Sequence, residues 1–337
     1  MNQSSLSCNR LRRLTVALAA AAGLVATAAL PAAATAASFP ERPLTLVVGY
    51  SPGGQTDSIA RMVATRLGNV LGQTVIVQNK EGAASTIAYR YVAESRPDGY
   101  TIMFGGTSAH AIAPVLTKVS YDAVKDFRSV GKVSTLPLSI SVNTDVPAKS
   151  LQDLIGLIKK DPGAYSYATG GAGGIEHLTG EMFKQAIGAS ALLHVPFKGG
   201  TPAATAVIGK QIPILINPLS TVFPYADAGK LRVLAVTSAE RMAAQPNLPT
   251  AIESGLPDFV AEGFNVLLVP SETPDDVVAK LNEGLTKVMS DPKFVQDLIA
   301  MKVNPQPAST PEETDAYLKG EVKRWADAIK TAGVTIN

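Results

Sequence analysis

The chain has 337 residues, too many for one compact core, so two domains are expected. Hydrophobic residues make up 46% and charged residues 17%, with 28 Gly and 23 Pro, which excludes a disordered or fibrous protein. The formal net charge is only +2, so the composition does not support binding to nucleic acid or to an anionic membrane surface.

Residues 1–36 predict a cleavable signal peptide. Arg10, Arg12 and Arg13 precede an uncharged apolar run at 14–30, and Ala34–Ala36 offers an A-x-A cleavage site. The alternative is an uncleaved membrane anchor, but the run is mostly alanine, which partitions only weakly into a bilayer. Cleavage removes three of the 30 Lys and Arg, leaving 27 against 28 Asp and Glu. We therefore expect an exported, periplasmic protein of nearly neutral charge.

Cys8 is the only cysteine and precedes the apolar run. A lipoprotein cysteine would follow that run instead. The mature chain is thus expected to have no disulfide, no thiol nucleophile and no cysteine-ligated metal, which suits a bacterial periplasm.

The first predicted unit is a strand, a glycine turn and a helix between residues 44 and 71. The strand at 44–48 is apolar on both faces, and Pro52-Gly53-Gly54 breaks the chain. Thr56 or Asp57 is predicted to cap the following amphipathic helix. The unpaired N–H groups and positive dipole end of such a helix bind anions.

Strands and helices then alternate, which predicts an open, mostly parallel sheet covered by helices. Further predicted units are strands at 73–79 and 101–104, a helix at 83–94 and a small-residue loop at 105–110. Because ligands bind at the carboxyl ends of parallel strands, the loops at 51–57 and 105–110 are expected at one edge.

A second unit of the same type occurs at 165–187, where the turn at 169–174 contains four glycines. Before it, the stretch at 126–143 contains Pro137 and is interpreted as a crossing between domains. Ser150 is predicted to open a helix as part of a capping box. The residues at 263–269 are expected to rejoin the first sheet. The predicted domains are 38–139 with 261–337, and 140–260.

Both glycine turns point to a carboxylate-sized anion. Neither matches a dinucleotide or P-loop motif, and neither contains Lys or Arg. A helix N-terminus contributes about 0.3–1 kcal/mol, whereas micromolar affinity needs about 8 kcal/mol. Several charge-assisted hydrogen bonds must therefore add to the dipoles, most effectively in a closing cleft.

The histidines give weaker signals. His177 and Glu181 have a metal-ligand spacing on one helix, but no third ligand follows, and a structural pair is favoured. Lys198 could reach a ligand carboxylate or be simply solvated. No catalytic motif is present, so neither catalytic residues nor a cofactor nor a metal is predicted. Trp325 is predicted to pack on the apolar stripe of the last helix.

Several stretches together resemble the Bug-type periplasmic receptors of tripartite tricarboxylate transporters. They include FPERPLTLVVGYSPGGQTDSIAR, PDGYT, GTSAHAIAP, YATGGAGGIEHLTGEMFK and HVPFKGG. The resemblance covers nearly the whole mature chain. It implies a monomeric two-domain receptor of the type II binding-protein fold, which holds one small carboxylate between its domains and hands it to membrane permease subunits.

The predicted ligand-binding residues come from both turns and the loops beside them. They are Tyr50, Ser51, Gly53, Gly54, Gln55, Thr56, Asp57, Thr107, Ser108, Ala109, Thr169, Gly170, Gly171, Gly173, Gly174, His177, Lys198 and Asn217.

Three positions depart from the family pattern: Gln55 in place of a third glycine, Asn217 in place of an acid, and Phe264-Asn265 in a segment that is usually richer in aromatic residues. The missing acid at 217 suggests a ligand without an ammonium group. Two other functions stay open, a ligand sensor for a signalling system and, with less support, an enzyme on the same fold.

Overall fold

The computed structural model describes residues 39–333, so the predicted signal peptide at 1–36 lies outside the described residues. Residues 42–333 belong to one compact unit. The strands are β1 (Leu44–Val48), β2 (Val75–Asn79), β3 (Thr101–Gly106), β4 (Phe127–Asn143), β5 (Ser166–Thr169), β6 (Leu193–Pro196), β7 (Ile214–Pro218), β8 (Leu231–Val236), β9 (Glu262–Pro270) and β10 (Asn304–Pro305). The α-helices are α1 (Gln55–Leu71), α2 (Thr86–Ala93), α3 (Ala113–Leu116), α4 (Leu151–Lys160), α5 (Ile175–Ile187), α6 (Gly200–Ile208), α7 (Leu219–Asp227), α8 (Asp275–Met289), α9 (Pro292–Ala300) and α10 (Pro311–Ala332).

The strands form one continuous curled sheet in the order β2-β1-β3-β9-β4-β7-β5-β6, and β8 and β10 also pair with β4. β4 is shared. Its residues up to Pro137 pair with β9, and its residues from Leu138 onward pair with β7 and β8. We call the strands on the β9 side the first sheet half and those on the β7 side the second sheet half. Pro137 lies where β4 changes partners, a place where a missing N–H is tolerated.

The α/β fold with helices flanking the sheet agrees with the prediction, although the strand directions are mixed rather than mostly parallel. β1 runs parallel to β2 and β3, and β5 runs parallel to β6 and β7. In contrast, β9 is antiparallel to β3 and β4, and β4 is antiparallel to β7 and β8. A buried strand has the same apolar composition in either direction, so the residues of β4 and β9 do not disclose it.

The C-terminal helix α10 packs in a cluster with residues of α5. Trp325 and Ile329 of α10 lie with Ile112 and Ala261 against Leu178 of α5. Trp325 is fully buried, as predicted for an aromatic residue on an apolar stripe. Because α5 begins at the second glycine turn, this cluster helps to fix where that turn lies.

Local predictions near the turns had mixed outcomes. The capping box at Ser150 is confirmed by its hydrogen bond from the Asp153 N–H. The predicted caps Thr56 and Asp57 are wrong, because Gly54 precedes the first helical residue and has no side chain to cap it.

The small-residue stretch at 105–110 is not a loop. Its glycines continue β3, and a π-helical turn follows at Ser108–Ile112. Close packing requires glycine at position 105, because a Cβ there would lie 2.6 Å from the Tyr89 hydroxyl. Likewise, the helix predicted from residue 83 begins at Thr86, after a turn in which Ala83, Ala84 and Ser85 have positive φ angles.

Among the helices within residues 39–333, none is both long and apolar enough to cross a membrane.

Candidate functional site

The starts of two helices from different sheet halves open on one cavity of about 310 Å³. Gln55 and Thr56 of α1 line it on the first half, and Ile175 and Glu176 of α5 line it on the second. The first backbone N–H groups of a helix have no partner within the helix, and its dipole is positive there. The cavity therefore faces two positive helix ends.

A second cavity of about 560 Å³ adjoins the first, since Ala84, Ser108 and Glu176 line both. Gly170, Gly171, Gly173 and Gly174 of the second glycine turn line this larger cavity, opposite residues that follow β2 and β3. We call the two cavities together the cleft. Nine of the predicted site residues line it: Tyr50, Gln55, Thr56, Thr107, Ser108, Gly170, Gly171, Gly173 and Gly174.

Asp57 lies behind the first turn rather than in the cleft. It is 2% exposed and accepts hydrogen bonds from the Gly53 N–H (2.9 Å), Arg61 Nε (2.9 Å) and Asn79 Nδ2 (2.7 Å). Burial opposes its ionisation, but these hydrogen bonds outweigh that effect and lower the pKa of the Asp57 carboxyl to about 2. Asp57 therefore holds the turn in shape from within the protein.

The other first-turn residues outside the cleft are Ser51, Gly53 and Gly54. The Ser51 hydroxyl donates to the Glu81 carboxylate, and the Gly53 N–H is taken up by Asp57. The Ser51 hydroxyl and the Gly53 N–H thus have partners within the protein, and the residues of this turn that line the cleft are Gln55 and Thr56 at the start of α1.

His177 supports the second turn instead of lining the cleft. Its Nδ1 accepts a hydrogen bond from the Gly173 N–H (3.1 Å), which requires the neutral ring. The ring stacks on His194 with centroids 4.0 Å apart, and His194 Nε2 lies 2.7 Å from the Thr169 hydroxyl. Burial lowers the pKa of both histidines, to about 4 for His194. At neutral pH the pair is therefore an uncharged support of the turn, and neither Thr169 nor His177 is among the residues that line the two cavities.

The Glu181 carboxylate has hydrogen-bond partners within the protein. It accepts from the Tyr167 hydroxyl (2.6 Å) and from Lys184 Nζ (3.0 Å). Within the described part of the chain, no three His, Cys, Asp or Glu side chains come together as a metal site.

Three further predicted residues lie outside the cleft. Asn217 is 1% exposed and packs against Gly200, whose carbonyl it approaches at 3.5 Å. Ala109 is buried, and its carbonyl accepts from the Tyr121 hydroxyl at 2.5 Å. Lys198 is exposed on the loop before α6. Whether any of them contacts ligand stays a prediction, but the cavity walls are built from other residues.

Sequence reasoning missed Glu176, which lines both cavities. Its position was the available signal: an acid in the first turn of the helix that follows the second glycine turn. Phe264, which the sequence distinguishes only as a departure from the family pattern, lines the smaller cavity, and its N–H donates to the Thr107 hydroxyl at 2.8 Å.

The cleft carries little charge. Of the lining residues in the described chain, Lys118 is the one cation and belongs to the larger cavity, while Glu176 is the one acid. Burial raises the pKa of the Glu176 carboxyl, against the effect of its own backbone N–H. Burial also raises the pKa of Tyr50, which hydrogen-bonds Ser108 and lies within electrostatic reach of Glu176. The smaller cavity therefore offers an anion N–H groups, hydroxyls and helix dipoles but no cation, whereas the larger cavity also offers Lys118.

A curled α/β sheet with a cleft between its halves is the architecture of periplasmic binding proteins. The model of the tripartite tricarboxylate transporter family receptor matches residues 59–334, and the chain belongs to that family. It is 32% identical to protein BugT of Bordetella pertussis, over 93% of this chain and 96% of BugT.

Solved structures are similar over the same region. The periplasmic binding protein BugD is 35% identical, with a TM-score of 0.74 over 88% of this chain and 99% of BugD. An R. palustris protein solved with adipate is 31% identical, with a TM-score of 0.78 over 88% of this chain and 99% of that protein.

Proposed function

We propose that this protein is a periplasmic solute-binding receptor that captures a small carboxylate in the cleft and delivers it to membrane permease subunits. One observation carries the proposal: the starts of α1 and α5, which belong to different sheet halves, line the same cavity. The likeness to the adipate-bound protein supports the carboxylate class. In this proposal the two sheet halves act as the lobes, 38–139 with 261–337 and 140–260.

Closure of the lobes explains how so few charges could hold an anion. A helix end contributes up to about 2 kcal/mol when partly buried, and each charge-assisted hydrogen bond about 1.5–3 kcal/mol. The hydroxyls of Thr56 and Ser108 and the free N–H groups at the start of α1 are the donors for a carboxylate. Excluding water strengthens each of these contacts.

A thermal-denaturation screen of the mature protein against small mono- and dicarboxylates, including adipate, tests the proposal. A ligand at 100 times its Kd should add about 2.7 kcal/mol of stability. At about 2–4 °C per kcal/mol for a chain of this size, Tm should rise by about 5–11 °C. Uncharged amides of the same acids should produce no shift.

A matched pair of variants ties the shift to the cleft. Ser108→Phe should abolish it, because Ser108 lines both cavities. Ser290→Phe places the same side chain at an exposed helix end and should leave the shift intact. If no carboxylate raises Tm, or if both variants respond alike, the cleft is not the carboxylate site.

The ligand found in that screen can then distinguish a transport receptor from a sensor and from an enzyme. Deletion of the gene should abolish uptake of labelled ligand, and the purified receptor should return the ligand unchanged after long incubation. We expect the receptor to be a monomer. Loss of a transcriptional response with normal uptake would favour the sensor, and conversion of the ligand would favour an enzyme.

A further inference from the structure

Glu176 lies in the middle of the cleft, where its side chain lines both cavities. It is partly buried, and no ion pair of its carboxylate is found within residues 39–333. The smaller cavity, to which α1 and α5 both contribute, contains no Lys, Arg or His among its lining residues in the described chain. A carboxylate in such surroundings is costly unless a donor group satisfies it.

Glu176 also occupies the anion position that the second glycine turn would otherwise offer. Its carboxylate accepts a hydrogen bond from its own backbone N–H at the start of α5. Moreover, the Gly173 N–H beside it already donates to His177. Both helix starts follow a glycine that provides no side-chain cap, and both have an acid in the first turn. The Asp57 carboxylate of α1 pairs with Arg61, however, whereas the Glu176 carboxylate leaves an unpaired negative charge at the start of α5.

The ligand carboxylate should thus lie at the α1 end of the cleft, near Thr56, Ser108 and Tyr50. A second carboxylate placed toward α5 would meet the negative charge of Glu176 at short range in a site of low polarity, which is unfavourable. A hydrogen-bond donor placed there would be satisfied by Glu176 and would satisfy it in turn.

On the basis of the proposed receptor function, we propose that Glu176 is a specificity-determining residue: it accepts a hydrogen bond from a hydroxyl or ammonium group of the ligand, whose carboxylate lies at the start of α1. Under this assignment the missing acid at Asn217 no longer argues against an ammonium group on the ligand. The acid absent from position 217 is replaced in function by one that approaches the ligand from α5.

Calorimetric titration with ligands that differ only in the donor tests this assignment. Each series consists of a plain acid, its hydroxy acid and its amino acid. The first series is succinate, malate and aspartate; the second is glutarate, 2-hydroxyglutarate and glutamate; the third is propionate, lactate and alanine. At pH 8 the wild type should bind the hydroxy or amino member of a series about 10 to 100 times more tightly than the plain acid. The hydroxy and amino arms then identify the donor.

Glu176→Gln should reduce this preference at least tenfold, by weakening binding of the donor-bearing member and tightening that of the plain acid. Glu272→Gln removes the same charge from an exposed position outside the cleft and should leave the preference unchanged. Thermal denaturation of both variants without ligand checks that they fold.

The outcomes separate the two proposals. If the wild type and Glu176→Gln bind carboxylates with the same preference for the hydroxy or amino member, the proposed role of Glu176 is wrong but the proposed receptor function is unaffected. Equal loss of all ligands in Glu176→Gln also overturns that role, because that result indicates a general contact and not selection. If the wild type binds no carboxylate of any series, the proposed function fails and this assignment fails with it.

Discussion

Replacing His110 by Phe should protect the protein against acid. His110 is 1% exposed, and neither ring nitrogen has a hydrogen-bond partner within residues 39–333. The ring packs between Tyr89 and Phe264, with centroids 5.9 and 6.1 Å away. Burial lowers the pKa of His110 from 6.5 to about 4, so the folded protein resists protonation of this ring.

The size and sign of the effect follow from proton linkage. Between pH 6.5 and pH 4 the unfolded chain binds a proton at His110 that the folded chain does not, so the free energy of unfolding falls as pH falls. The loss from this ring is about 2 kcal/mol at pH 5 and about 3 kcal/mol at pH 4, at about 1.36 kcal/mol per pH unit. A phenylalanine has no such loss, and it gives up no hydrogen bond to the described residues.

Urea unfolding of the wild type and His110→Phe from pH 7.5 to pH 4 measures this difference. The variant should match or exceed the wild type at pH 7.5, and its advantage should grow by about 3 kcal/mol by pH 4. The nearby charges of Asp315 and Lys319, which share a cavity of about 20 Å³ with His110, are the same in both proteins. A difference that does not change with pH would refute the reasoning, because it would show that His110 is as easily protonated in the folded state as in the unfolded chain.

Two further predictions concern the first glycine turn and the packing of helix glycines. Asp57→Asn should lower the free energy of unfolding by about 2 kcal/mol at pH 7, measured by urea unfolding. The deficit should shrink as pH falls from 4 toward 2, because the folded-state pKa of Asp57 is about 2. A variant as stable as the wild type at pH 7 would contradict this prediction. Gly180→Ala places a Cβ 2.1 Å from a Tyr167 ring carbon and should lower the free energy of unfolding by about 1–3 kcal/mol in thermal denaturation. Gly156→Ala is the control: it has open space around it in α4 and should raise the free energy of unfolding by about 0.5–1 kcal/mol. Equal effects of the two substitutions would rule out steric contact as the cause.

Much of the secondary structure could be predicted because it depends on neighbours in the chain. The capping box at Ser150 needs only residues three positions apart. The strand–turn–helix units at 44–71 and 165–187 follow from apolar runs, glycines and helical spacing. The prediction of a loop at 105–110 is wrong because small residues are typical of loops, whereas here they allow β3 to pack closely against Tyr89.

The two glycine turns, the helices after them and the likeness to a receptor family were determined by the sequence alone, because each depends on local spacing or on motifs in order. Tertiary structure alone decided which donors remain free for a ligand. Asp57 and His177 turned inward to hold the turns, while Glu176, an unremarked acid in the first turn of a helix, became the charged group between the two cavities. Partners that come from distant strands and helices decide whether a polar side chain is already satisfied, and spacing along the chain does not contain that information.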